Sequence, residues 1–156
     1  MRWTESIVVD RPIGQVAACI ADENELMQWS AWPQATGYTC SIDGDGTSVG
    51  SCIVFRDNKG VEQGRQRLAS ATADRIEYRL SNRGPGGRTM TPEVDFRLEA
   101  VSAVSTKVFL DFHVDVPLPP VLHQVAEAVI GRRVRALHVK DLQQLKHHVE
   151  GAPAAT

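Results

Sequence analysis

The sequence predicts a single α+β domain in which a curved antiparallel sheet of seven strands wraps around one long C-terminal helix. Three observations carry this. Between residues 36 and 116, β-rich runs alternate with turn clusters at a spacing of about ten residues. The later runs place apolar side chains at even positions and charges at odd ones, which is the period of a strand with one dry face. Only one stretch, Val121 to Val149, carries a long helical pattern.

Trp3 to Val9 is short, β-branched and closed by Asp10-Arg11-Pro12, so it reads as the first strand. The proline can open a helix whose apolar positions are Ile13, Val16, Ala17 and Ile20. A second short helix fits Asn24 to Gln28. It must break across Trp29-Ser30-Ala31-Trp32-Pro33, because the residue before a proline disfavours the α region. Six further strands are expected at 36–43, 50–57, 61–71, 75–82, 93–101 and 105–116. Their punctuation is Asp43-Gly44-Asp45-Gly46, Asp57-Asn58-Lys59-Gly60, Thr72-Ala73-Asp74 and Ser102-Ala103. Asp43 and Asp45 are turn formers, since no calcium-loop glutamate follows them.

The dry face is read from Ile76, Tyr78 and Leu80, then Val94, Phe96 and Leu98, then Val108, Leu110, Phe112 and Val114. The wet face holds Arg65, Arg67, Glu77, Arg79, Asp95, Arg97, Glu99, Asp111 and His113, a ladder of mixed sign across neighbouring strands. Turns centred near Ala73 and Ala103 pair even positions with even. Only the last helix is long enough to cover the dry face. Its apolar stripe runs through Leu122, Val125, Ala126 and Val129, then shifts phase at Gly131 to Val134, Leu137, Leu142, Leu145 and Val149. A bend there would let one half pack on the sheet while the other stands off over a cavity.

A chain of 156 residues buries roughly 70% of its unfolded surface, enough for one core. Residues 1–150 are read as one domain and 151–156 as a disordered tail. Seventeen Lys plus Arg against nineteen Asp plus Glu leave a formal charge of −2, which argues against nucleic acid as a partner. Gly131-Arg132-Arg133-Val134-Arg135 is the solvated side of a helix. No run of 18 apolar residues and no signal-peptide pattern appears, so a cytoplasmic protein without stable membrane insertion is expected. Cys19, Cys40 and Cys52 form no CxxC pair, and no His cluster stands at ligand spacing. No metal and no cofactor are expected. Cys40 and Cys52 could meet across a hairpin centred near Gly46, but free thiols fit a reduced compartment better.

Several phrases, in this order, resemble the START-like superfamily and in particular its polyketide cyclase/dehydrase branch. They are Ile7-Val8-Val9-Asp10-Arg11-Pro12-Ile13-Gly14-Gln15-Val16, Ile20-Ala21-Asp22 before Trp29-Ser30-Ala31-Trp32-Pro33, Val49-Gly50-Ser51, Asp74-Arg75-Ile76-Glu77-Tyr78, Phe96-Arg97-Leu98-Glu99 before Ser105-Thr106-Lys107-Val108, and Leu142-Gln143-Gln144-Leu145-Lys146. The likeness spans residues 3 to 150. It implies a helix-grip fold with a deep cavity for lipids, polyketides or aromatic metabolites, and no single reaction.

The candidate ligand-binding residues are Trp29, Trp32, Tyr38, Val54, Gln66, Tyr78, Leu80, Phe96, Phe112, Leu122, Val125 and Val129. Trp29 and Trp32 flank the bend, where they either stack on a flat ligand or seal one end of the core. Gln66, Ser70 and Tyr78 are polar at inward positions and need partners, from the protein or from a ligand. His123 and Glu127 stand one helical turn apart and read as a surface pair. Asn82 to Met90 lacks a phosphate-loop ending and reads as a lid or a plain mobile connection. The expected function is binding of a small hydrophobic or aromatic ligand, by a monomer or homodimer. The alternative is a polyketide aromatase/cyclase or dehydratase, for which no acidic base faces inward from the middle of the sheet.

Overall fold

A computed structural model describes residues 1–152. Strand β1 (Arg2–Val9) is followed by helices α1 (Ile13–Ala21), α2 (Glu23–Trp29) and α3 (Trp32–Thr36). Strands β2 (Thr39–Asp43), β3 (Cys52–Arg56), β4 (Glu62–Ala71), β5 (Arg75–Arg83), β6 (Thr89–Met90), β7 (Glu93–Ser102) and β8 (Ser105–His113) come next. Helix α4 (Pro120–Ala126) then passes through a π turn (Glu127–Gly131) into α5 (Arg132–Gly151). The sheet runs β1-β8-β7-β5-β4-β3-β2, and the two-residue β6 pairs with the far half of β5 as an eighth strand. Every pairing is antiparallel.

Local chemistry explains the entry into the sheet. Pro12 precedes the first turn of α1, and the Asp22 side chain caps α2 by accepting from the Asn24 backbone N–H at 2.9 Å. α2 ends at Trp29 with Ser30 extended, but Pro33 is not the cause: Trp32, the residue before it, opens α3, and Pro33 sits in that first turn, where its missing N–H costs nothing. Val16, Ala17 and Ile20 of α1 are buried over one end of the sheet, beside Leu142, Leu145 and Val149 of α5.

The even-to-even register is present where β5, β7 and β8 meet: Tyr78 faces Val94, Phe96 faces Leu110 and Val94 faces Phe112. The opposite face carries the ion-pair ladder, with Arg79 at 2.7 Å and Arg75 at 2.8 Å from Asp95, and Arg97 at 2.5 Å from Asp111. Exposed pairs of this kind add about 0–1 kcal/mol each; their larger effect is to keep that face in water.

Parity fails toward the other edge of the sheet. Ile53 pairs with Gln66 and with Ile42, so β3 turns its odd residues inward and Val54 lies between Ser41 and Arg65 on the outer face. A bulge between Leu68 and Ser70 puts Ser70 opposite Glu77, which removes Ser70 from the inner surface. The register of β2 against β3 decides the thiols. Cys40 pairs with Phe55 and Cys52 with Asp43, and all three cysteines are free.

The phase shift at Gly131 is a π turn. Its extra residue rotates one half of the helix against the other by roughly a quarter turn. The buried Gly131 sits where a Cβ would come within 3.3 Å of the Met1 sulfur. α5 packs on β1 and the sheet, whereas α4 stands outward, with its Leu122 and Val125 and Val129 of the π turn each more than half exposed. Gly151 is the last residue of α5, and the Ala152 carbonyl accepts from Arg11 at 3.1 Å, so order reaches past 150. Of the expected tail, residues 153–156 lie outside the described residues.

Candidate functional site

Because α1 and α2 fill one end of the curved sheet and α4 leaves the other end uncovered, a hollow of about 260 Å³ remains between the sheet and the middle of the long helix. Its floor is Gln66, Leu80, Val94, Phe96, Leu110 and Phe112. Its opposite wall is Ile130, Val134, His138 and Asp141. Trp29, Ser30 and Trp32 form one rim, and Asn82, Arg83, Gly84 and Met90 of the β5–β6 hairpin form another. The Gly-rich segment is therefore a short hairpin at the cavity's edge, with a 3-10 turn over Pro85–Gly87.

The floor is aromatic and mutually braced. Trp3 stacks on Phe112 with ring centres 4.3 Å apart, and Trp29 meets Phe96 edge-on at 6.2 Å. Against this apolar surface, polar groups converge from α5. The Trp3 indole N–H donates to Nδ1 of His138 at 3.0 Å, so a neutral His138 carries its proton on Nε2. Burial lowers the His138 pKa to about 4, which keeps the ring neutral. Oδ1 of Asp141 accepts from the Ala31 backbone N–H at 2.6 Å and from the Ser30 hydroxyl at 3.3 Å. Asp141 thus fixes the bend that carries Trp29 and Trp32. Burial raises its pKa to about 6 despite those two hydrogen bonds.

Of the residues expected to bind a ligand, Trp29, Trp32, Gln66, Leu80, Phe96 and Phe112 line this hollow. Six others do not. Tyr78 is wholly buried beneath α1, and its hydroxyl donates to the Ile20 carbonyl at 2.8 Å; it does not pair with Gln66, which faces Leu80. Val54 is on the other face of the sheet for the register reason given above. Tyr38 precedes the edge strand β2 and packs against the core away from the cavity. Leu122, Val125 and Val129 project outward, because the inward column Ile130, Val134, His138, Asp141, Leu145 runs one residue out of step with them. Read back through the π turn, that column continues to the half-buried Ala126 and His123. His123 and Glu127 approach only to 3.9 Å at the surface.

The strands hold no inward acid, as expected; the acid comes from the helix. His138 and Asp141 were missed because the reading of α5 followed apolar residues alone. The signal was available: two polar side chains at 138 and 141 interrupt the stripe between Val134 and Leu145.

A curved antiparallel sheet gripping a C-terminal helix over an apolar hollow defines the helix-grip class of the START-like superfamily. The family described as polyketide cyclase / dehydrase and lipid transport matches residues 1–150, and the chain belongs to it. Solved structures agree at the level of fold. A protein from Chromobacterium violaceum superposes with a TM-score of 0.65 at 17% identity, covering 96% of each chain. The KanY protein gives 0.67 at 12% identity, covering 97% of this chain and 98% of its own. DynU16, from the dynemicin biosynthetic locus, gives 0.64 at 16% identity, and the chain spans 99% of itself but 49% of DynU16. None of the curated proteins compared with the chain matches it in sequence. Among the described residues, no helix is long and apolar enough to cross a membrane.

Proposed function

We propose that the hollow takes up one small apolar or aromatic molecule, with its flat part on the aromatic floor and a polar end toward Asp141 and His138. The supporting observation is the lining: apart from Gln66 the floor is hydrocarbon and aromatic rings, and the buried pair His138 and Asp141 stands opposite it on the α5 wall. A dry cavity of about 150 Å³ accepts benzene, so about 260 Å³ suits one or two fused rings better than a long acyl chain. The test is a titration with naphthalene and flavonoid probes, read by quenching of tryptophan fluorescence, on the wild type and on Val134→Trp. Saturable binding that Val134→Trp abolishes supports the reading. Equal binding by both proteins overturns it.

A second reading is favoured by one observation, the carboxyl of Asp141 with its pKa near 6. Cyclising a poly-β-ketone needs a base for an acidic methylene and a donor for the carbonyl that is attacked. Asp141 would take the methylene proton. The carbanion would then add to a second carbonyl whose oxygen is held by the His138 Nε2–H, and the proton taken by Asp141 would pass to that oxygen to give the hydroxyl and restore the carboxylate. Asp141→Asn should stop ring closure of a tetraketide or longer model substrate while leaving probe binding within about threefold, because a single neutral-for-charged exchange in such a pocket keeps its shape. Unchanged turnover in that variant removes Asp141 from the chemistry.

A further inference from the structure

Behind the wall that carries Trp29, three metal-ligating side chains meet that the cavity does not use. Cys19 of α1, Glu25 of α2 and His148 of α5 place a thiol sulfur, a carboxylate oxygen and an imidazole nitrogen within 4.8 Å of one another. Nε2 of His148 is 2.5 Å from Oε2 of Glu25, and all three residues are partly buried. Their separation along the chain, 123 positions between Glu25 and His148 alone, hides the cluster from any reading by ligand spacing.

A second observation points at the same place. The Trp29 residue is 97% buried (3% exposed), and its indole N–H has no hydrogen bond of ordinary geometry among the described residues. That N–H lies beside the Cys19 sulfur. A Glu–His ion pair would account for two of the three ligands, but it explains neither the thiol brought against them nor the buried donor facing that thiol. A metal-bound thiolate does both, since it is a far better acceptor than a thiol and would take the indole N–H as its outer partner.

We propose that Cys19, Glu25 and His148 form a zinc site, with a fourth position open to water. Sulfur, imidazole and carboxylate are the donor set that zinc accepts in tetrahedral geometry. Its bond lengths put such donors about 3.3–3.6 Å apart, so the ion draws Sγ inward and parts Glu25 from His148 by side-chain rotation. The ion ties α1, α2 and the last turns of α5 together at the back of the cavity, and through Trp29 it touches the wall that faces the ligand. The site is separate from Asp141 and His138, so it stands or falls apart from the proposed function.

The experiment uses chelator-treated full-length protein with zinc or cobalt alone. Calorimetry should give one equivalent of zinc, zinc should raise the melting temperature, and cobalt should produce a thiolate-to-metal charge-transfer band with the visible bands of a tetrahedral ion. Cys19→Ser should lose the charge-transfer band, and His148→Gln should weaken zinc at least tenfold, with both metal-free variants melting alongside the metal-free wild type. Bound zinc should also change Trp29 fluorescence in the wild type but not in Cys19→Ser. Absence of binding in the wild type overturns the proposal, as does cobalt binding without the thiolate band. Zinc affinity unchanged in both variants places the ion on other histidines and overturns it equally. Should either variant fail to fold, Glu25→Gln in its place must show the same tenfold loss.

Discussion

The indole N–H of Trp3 in β1 donates to Nδ1 of His138 in α5, 3.0 Å away, and so decides which nitrogen of a cavity-lining imidazole keeps its proton. A neutral ring that accepts at Nδ1 is protonated at Nε2. Trp3→Phe keeps an aromatic ring against Phe112 but leaves that buried acceptor without its donor. The expected cost is about 1–3 kcal/mol by urea denaturation. Nitrogen-15 shifts of His138 should report the Nε2–H tautomer in the wild type and a mixture in the variant. A wild-type spectrum of the Nδ1–H form would contradict the geometry.

His138 and Asp141 should impose opposite pH slopes on stability. Asp141 has its pKa raised from 3.8 to about 6, so its contribution is complete below pH 4 and is lost as the pH rises through 6. His138 has its pKa lowered from 6.5 to about 4, so its contribution is complete above pH 6.5 and is lost as the pH falls through 4. Each shift corresponds to about 3 kcal/mol, and over pH 4 to 6 the two slopes largely offset. Relative to the wild type, Asp141→Asn should gain stability with rising pH in that window and His138→Gln should lose it. Denaturant midpoints at half-unit pH steps would show this; parallel curves for all three proteins would refute it.

Glu23 is fully buried, with Oε2 accepting from the Ser51 hydroxyl at 2.6 Å and Oε1 without a partner among the described residues. Burial raises its pKa, and the Ser51 bond works against that rise. Ser51→Ala removes the only hydrogen-bond donor to this carboxyl among the described residues. It should cost about 2 kcal/mol at neutral pH and less in acid, where a protonated Glu23 no longer needs a donor as strongly. A loss independent of pH would mean that Ser51 acts through packing or through its bond to the Gly46 N–H.

The middle of the sheet was legible because period-2 alternation between Arg75 and Val114 leaves one assignment of faces. The edge was not. Whether Val54 or Ile53 points inward depends on how many residues occupy the 57–61 connection and on the bulge between Phe55 and Arg56, and neither leaves a hydropathy signal. Tyr78 illustrates a different gap. Its inward direction could be read from the strand, but the carbonyl of Ile20 that captures its hydroxyl is brought there only when α1 crosses the sheet. The cavity wall was harder still, since a helix can hold two faces in sequence once a π turn separates them. Gly131 marked where the phase changed and could not say which half faced in.

That ambiguity gives the last prediction. If the inward column is Ile130, Val134, His138 and Asp141, then Leu122, Val125 and Val129 bear little on the fold or on the cavity floor. Replacing each of the three by Ser should change stability by less than about 0.5 kcal/mol, as for other exposed positions. Val134→Ser should cost about 1–2 kcal/mol, because it sets a hydroxyl on an apolar wall and removes packed methyl groups. Probe affinity should follow the same division, falling for Val134→Ser and holding for the Leu122, Val125 and Val129 variants. A stability loss above 1 kcal/mol in Val125→Ser would mean that α4 folds down over the cavity in solution, bringing its apolar side chains onto the sheet.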